Sequence, residues 1–307
     1  MNDFIVVGAG SAGCVMARRL SEHGNVTLIE AGPADHRWDY RLHMPAALSQ
    51  VLSSNWYNWH YESEPEACLD NRRLYCPRGK VMGGSSSVNG MIFVRGNKGD
   101  FDRWSSEHGL SDWDYESCLP YFRKSENALG FPEASLDPNF RGTDGPLKIS
   151  RGELKTPLFQ AWLDASGQAG HAITADFNGR TQEGAGCFDR TIFKGERQNI
   201  AKAYLGRPRQ LGSLKVIRRA TVTRVVIENG RATGVEYLQG GKQHQCAAGE
   251  VILCGGAVNT PHLLMLSGIG DAKGLKIHGI PVVSHAPGVG RNLMDHLEIY
   301  VQYACDR

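Results

Sequence analysis

Apolar and polar positions alternate with more than one period along the chain, and the changes of period mark the elements. FIVV at 4–7 is a short apolar run without alternation, which suits a strand buried on both faces. A glycine turn follows, and then SAGCVMARRL, whose apolar positions recur at helical spacing. A helix from Ser11 to about His23 is predicted, stopped by Gly24, with a second strand over Val26 to Glu30. The start is therefore a βαβ unit.

Between 33 and 77 the pattern loses its period, with prolines at 33, 45, 65 and 77 and the aromatic cluster NWYNWHY. An irregular surface excursion is expected there, serving as an interface or lid. A helix is expected around ESCLPYFRKSE with Asp114 as its cap, then a short strand in GPLKIS. Another helix, PLFQAWLDASGQAG, should end at Gly170. From Leu214 the period becomes that of strands: LKVI, ATVTRVVIE, ATGVEYL and QHQCAA. Asn229-Gly230 and Gly240-Gly241 supply hairpin signals between them. EVILCGG reads as a separate strand returning to a buried sheet. NTPHLLMLSGIG reads as a helix with Thr260 as cap, Pro261 at its first position and Gly268 at its end. A last strand is expected over Ile299 to Tyr303, without sheet partners.

Composition narrows the function classes. The 307 residues are 41% hydrophobic, and 34 Lys and Arg against 32 Asp and Glu leave a formal charge of +2. Scattered basic residues with no basic-aromatic stripe exclude a nucleic-acid groove. Eight cysteines without a CxxC pair point to reduced, buried thiols in a reducing compartment. The uncharged stretch from Phe4 to Ala17 is rich in glycine and preceded by Asp3, so neither a signal peptide nor a membrane span is expected. There is no HExxH, no metal-spaced Cys/His cluster and no GxSxG elbow, so metal and serine-hydrolase chemistry are set aside.

Gly8, Gly10 and Gly13 form G-x-G-x-x-G between the first strand and helix. The first allows a tight turn, the second a close approach of a pyrophosphate, and the third close helix–strand packing. Ser11 and Ala12 then open the helix, whose amides face the phosphates. Glu30, with Ala31 after it, stands where a carboxylate can accept from a ribose 2′-hydroxyl, which argues against a 2′-phosphate. An adenine dinucleotide is implied; the fingerprint alone leaves NAD and FAD open.

The stretch RGKVMGGSSSVNGMIFVRG at 78–96 bears on that choice. Its glycines let the chain pass a flat ring, and serine hydroxyls and amides can reach the ring's polar atoms, so a pliant linker is the lesser reading. Together with GAVNTPHLLMLSGIG at 256–270, VVGAGSAG, LIEAGP and GVGRNLMDHL, it resembles the glucose-methanol-choline (GMC) oxidoreductases over the whole chain. The resemblance implies an α/β fold: a Rossmann-like FAD-binding domain (1–148 and 192–298) with an added antiparallel β meander. Part of a smaller α+β substrate domain would take 149–191 and 299–307.

By the same resemblance Val81, Asn89, Gly90, Met91 and Ile92 form the flavin-side wall and Val222 offers its backbone to the adenine, with Arg78, Gly83, Gly84 and Ser85 also expected to bind the cofactor. Val88 stands where some members carry a tethering histidine, so FAD is expected to be held non-covalently. The activity implied is oxidation of an alcohol by hydride transfer to flavin N5. NWYNWHYESEP, GNKGDFDRW, WDYESCLPYFRK and DHLEIYVQY resemble the choline-oxidising members, with betaine aldehyde as product. Glu298 would face the trimethylammonium group, and Trp56, with Trp59 and Tyr61, would supply aromatic faces. Another aliphatic or aromatic primary alcohol is the alternative. The family's catalytic histidine is expected beyond Arg307, so none is assigned, and His262 and His296 are read as structural. A flavin-binding module without catalysis and an NAD-linked dehydrogenase are the competing readings. The acceptor is left open among oxygen, a quinone and a protein, with a cytoplasmic location and peripheral membrane association as the expectation.

Overall fold

The structure, a computed structural model, describes residues 2–128, 131, 136–152, 155–206 and 213–304. Cys305 and the end of the expected 299–307 segment lie outside them. The strand Asn2–Val7 (β1), the helix Ser11–Leu20 (α1) and the strand Val26–Glu30 (β2) form the predicted βαβ unit, with α1 ending three residues early in a turn. Six strands make one sheet in the order 214–218, β2, β1, 242–253, 231–239, 220–228. The first four run parallel and the last three antiparallel.

One strand belongs to both parts. The sequence divides it into QHQCAA and EVILCGG, yet Lys242–Leu253 is continuous: 242–247 pair with the hairpin strand Arg231–Gln239, and 248–253 pair with β1. Neither half carries a turn residue in a turn conformation, so nothing breaks it. Both hairpins have the expected left-handed pairs, Asn229 and Gly230 at φ +51° and +76°, Gly240 and Gly241 at +57° and +77°.

Alternation along β1 builds two cores. Ile5 and Val7 face a cluster with Ile29, Val235 and Leu263. Val6 faces the other side, against Leu28, Cys14, Ala17 and Leu205. Each fully buried aliphatic side chain contributes roughly 1.5–3 kcal/mol, so both cores are firmly held.

The helix Gly256–Leu266 starts at Gly256, with Gly255 at its N-cap and Pro261 inside it, so Thr260 is not its cap. The glycines after Cys254 turn the chain straight into the helix. The excursion at 33–77 also differs from expectation. Its short helices Tyr40–His43 and Leu48–Leu52 bury Leu42 and Val51 against Tyr57, Val81 and Val88, so the segment builds a core of its own. Of the seven described cysteines all are free and only Cys14 is buried, which corrects the reading of buried thiols.

A second sheet of four short strands runs 92–93, 189–190, 147–151, 126–128. The domain boundary expected at 148 falls inside its longest strand, Leu147–Arg151. Its apolar core is small, Ala128, Phe131, Leu147 and Ile149. Charge does the rest: Arg141 reaches Glu126 at 3.0 Å, Asp176 at 2.6 Å and Asp189 at 2.9 Å, and Arg95 reaches Glu126 at 2.9 Å. Arg95 Nη2 and Arg141 Nη2 sit at ion-pair distance without hydrogen-bond alignment. Helix Tyr115–Ser125 has its expected cap, Asp114 accepting from Ser117 N at 2.7 Å. The expected strand at 299–303 is absent: 291–304 form no ladder, and Ile299, Tyr300, Val301 and Tyr303 are exposed.

Candidate cofactor site

Two of the fingerprint glycines, Gly8 and Gly13, are required by backbone contact, whereas a Cβ on Gly10 would stand 3.9 Å from Gly84 Cα. Gly8 has φ +94°, and a Cβ on it would stand 2.5 Å from the Cys254 carbonyl oxygen; its amide donates to Ile29 O at 2.8 Å. A Cβ on Gly13 would come within 1.8 Å of Gly8 O, so only glycine lets α1 lie on β1. Gly10, Ser11 and Ala12 begin α1, with Ser11 and Ala12 exposed and no acid in the first turn. Free amides and the positive helix end therefore face open space, which suits a phosphate.

Glu30 is buried where β2 ends. Its Oε2 accepts from Ala9 N at 2.7 Å and its Oε1 from Gly32 N at 2.7 Å. Burial raises its pKa, and these amides work the other way. The carboxylate thus already fixes the fingerprint turn, and a ribose hydroxyl would have to use its remaining lone pairs. Ala31, half-buried, follows it.

The second glycine loop lies directly on the first. Gly83 N donates to Ala9 O at 2.7 Å, and a Cβ on Gly84, at φ +54°, would stand 2.7 Å from Gly10 Cα. Gly84–Ser87 winds into one 3₁₀ turn, buried apart from Ser85. Ser86 and Ser87 are turned inward, and Ser85 is half-buried. Ser85 accepts from Gly79 N, Ser86 donates to Gly83 O, and Ser87 donates to Met82 O and accepts from Asn199 Nδ2. Val81 and Val88 point into the apolar cluster below, so Val81 can offer only its backbone.

Past the turn the chain comes to the surface. Asn89 and Gly90 are exposed, with nothing within 4 Å of a Cβ built on Gly90; Ile92 is half exposed and Met91 is buried at φ +63°. Arg197, which nothing in the sequence pattern marks, holds this rim from beneath: its Nη1 donates to Asn89 O at 2.6 Å and Asn89 Oδ1 at 2.8 Å. Arg78 is exposed nearby in sequence. Val222 lies at a bulge where pairing with 231–239 slips past Thr223. Two cavities of about 510 and 810 Å³ flank the strand Leu214–Arg218, lined by 34–37 region residues and Arg218.

The expected substrate cage is not brought together. Trp56 is exposed; Trp59 stacks on Tyr61 and has Lys80 Nζ 4.4 Å from its ring centre. Glu298 is exposed, and the Tyr300 hydroxyl bonded to it has its pKa raised by that contact. His262 is exposed, and His296 approaches Asp100 at 3.2 Å on the surface. Among the described residues no cluster of three or more His, Cys, Asp or Glu could hold a metal, and no helix is long and apolar enough to cross a membrane.

A glycine turn at a helix N-terminus, a carboxylate at the end of the next strand and a second backbone rim beside them form an arrangement of the dinucleotide-binding kind. A family model described as GMC oxidoreductase matches residues 2–298, and the chain belongs to that family. It is 51% identical over 313 residues to mitochondrial choline dehydrogenase of Homo sapiens, covering 99% of this chain and 52% of that protein. It is 47% identical over 305 residues to the oxygen-dependent choline dehydrogenase of Staphylococcus saprophyticus, covering 99% and 54%. Among solved structures, pyridoxine 4-oxidase from Mesorbium loti superposes with a TM-score of 0.86 at 30% identity, covering 93% of this chain and 55% of that one. A formate oxidase gives 0.87 at 30%, covering 96% and 52%. The chain spans about half the length of the curated relatives it matches.

Proposed function

We propose that the protein is an FAD-dependent oxidoreductase acting on alcohol CH–OH groups, with choline as substrate and betaine aldehyde as product. The observation that carries the reading is the seating of one glycine loop on the other, Gly83 N on Ala9 O and Gly84 against Gly10. A dinucleotide laid on the fingerprint would run under this second rim, which suits a cofactor with a large flat ring.

Bound FAD supplies the acceptor for the hydride of the carbinol carbon. The chain's own residues bind and orient it. Amides at Gly10 to Gly13 receive the pyrophosphate, and Glu30 orders the turn and takes a ribose hydroxyl on its free lone pairs. Asn89, Gly90 and Ile92 present the exposed rim to the ring, while Val81 and Met91 support it from below. Val88 has no nucleophilic atom and is buried among Leu42, Val51 and Tyr57, so FAD is held without a covalent bond. The likeness to choline dehydrogenases from two kingdoms supports choline over other primary alcohols.

The purified protein is expected to show a flavin spectrum, to release all flavin on denaturation and precipitation, and to be bleached anaerobically by choline. Flavin that stays with the precipitate would refute the non-covalent site. A yellow protein that choline leaves oxidised would refute the substrate, and a colourless one unable to take up FAD would refute the class.

A further inference from the structure

Arg197 is wholly buried, and among the described residues no carboxylate pairs with it. Its Nε and Nη2 have no hydrogen-bond partner, and only Nη1 is engaged, by Asn89 O, Asn89 Oδ1 and, at 3.5 Å, Ser86 O. Burial alone drives its pKa down, to about 10, so the guanidinium remains charged at neutral pH. A buried cation without a counter-charge is costly, and an apolar side chain of similar volume would fill the space at lower cost. The other buried arginines show the contrast, since Arg95 and Arg141 both meet carboxylates.

The geometry at Asn89 shows what the charge acts on. Its Oδ1 accepts from two groups that can only donate, Arg197 Nη1 at 2.8 Å and Met91 N at 3.2 Å. The amide orientation is thereby fixed, with oxygen inward and Nδ2 as the free end of an exposed residue. A donor polarised by a cation behind it is a stronger donor.

We propose that Arg197 is a positioning residue: it turns the Asn89 –NH2 group outward, and its uncompensated charge favours negative charge on the group that docks at the Asn89–Gly90 rim. The inference rests on the FAD reading, in which that group is the flavin ring, and it goes further by assigning the rim a preference for the reduced, anionic ring. Charge near the ring's nitrogens is one of the main ways a protein tunes a flavin.

Sulfite is the probe. Its lone pair forms a bond to flavin N5, and the displaced electron pair rests as negative charge on the ring, with no further reactant needed. In the flavin-loaded protein, Arg197→Met is expected to weaken sulfite binding by about tenfold or more, the scale of one charge about a residue layer away at intermediate dielectric. The flavin midpoint potential should fall with it. Arg197→Lys keeps the charge but not the fork, and should lose less. Asn89→Asp puts a carboxylate on the guanidinium, cancels its charge, and should weaken sulfite binding as Arg197→Met does. If Arg197→Met does not fold, the Lys and Asp variants decide. Unchanged sulfite affinity and potential in a flavin-loaded Arg197→Met or Asn89→Asp protein overturns the inference while leaving the FAD reading intact. A parent protein that takes up no flavin overturns both.

Discussion

In the six-stranded sheet Ile5, Val7 and Ile29 are buried with Val225, Val235 and Leu263 and Val6 and Leu28 with helix α1, whereas the four-stranded sheet is centred on Arg141 with Glu126, Asp176 and Asp189 around it. The first is built from apolar area, which is non-directional and tolerates repacking. The second is built from charges that each need a partner in place. The difference matters for function: the apolar sheet carries the fingerprint, and the charged one pins Ile92–Phe93, the strand that follows the Asn89–Gly90 rim.

The largest break in this contrast is expected from Arg141→Met, which removes the cation shared by three carboxylates and leaves Glu126 to Arg95 and Asp176 and Asp189 to Arg151. Removing one partner of a buried ion pair typically costs about 3–5 kcal/mol. Hydrogen exchange should show protection lost at 126–128, 147–151 and 189–190 first, with 4–7 and 26–30 still protected. Equal loss in both sheets would mean that they melt as one unit, and the contrast would fail. A milder probe on the other side is Ile5→Val, which removes one methylene-sized group and should cost about 0.5–1.5 kcal/mol without local loosening of the charged sheet.

These two modes of construction also explain what the sequence disclosed. Runs such as FIVV, VTLIE and ATVTRVVIE carry their period on their face, and both hairpin turns are marked by residues that tolerate positive φ. The four-stranded sheet has strands of two to five residues, too short for a period, and its ion pairs join positions from 95 to 189 that no local pattern connects. The site divides in the same way. Gly8 and Gly13 were legible because backbone contact permits nothing else there, and Gly10 because the motif's spacing marks it. The placement of Arg197 and the Asn199 contact of Ser87 were not, because both join segments more than a hundred residues apart. Glu298 and Trp56 were marked by the resemblance of the stretches that hold them, and both are exposed here.

Between the two loops, Gly84→Ala should have an intermediate effect. A left-handed φ costs a residue with a Cβ roughly 1–2 kcal/mol, and here the Cβ would also press on Gly10 Cα. The expected outcome is a folded protein with weakened FAD uptake, read by titrating the apoprotein with FAD. Gly230→Ala, at φ +76° with open space around it, is the control: it should lose a similar conformational amount of stability and bind FAD unchanged. Equal FAD affinity in both variants would show that the loop contact does not shape the site.

The smallest effect, and the one that separates two buried carboxylates by sign, is expected from pH. Asp39 is held down at about 2 by hydrogen bonds from Arg41, with Tyr57 adding another. A depressed acid contributes stability that is fully present above its unfolded value near 4 and is lost as pH falls toward 2. Glu30 is raised, chiefly by burial, so the folded state holds its proton more tightly than the unfolded one. Its ionised form is a cost at neutral pH, and the cost disappears as pH falls through the raised value. Glu30→Gln should therefore leave apoprotein stability near that of the parent at pH 7, the lost burial cost offsetting one lost amide bond from Ala9 or Gly32. On mild acidification the parent should gain on the variant. Asp39→Asn should be destabilised at pH 7 and converge with the parent only near pH 2. Parallel melting profiles for the parent and Glu30→Gln from pH 7 to pH 4 would show that Glu30 is not strained by burial, and would leave ordering the fingerprint turn as its whole role.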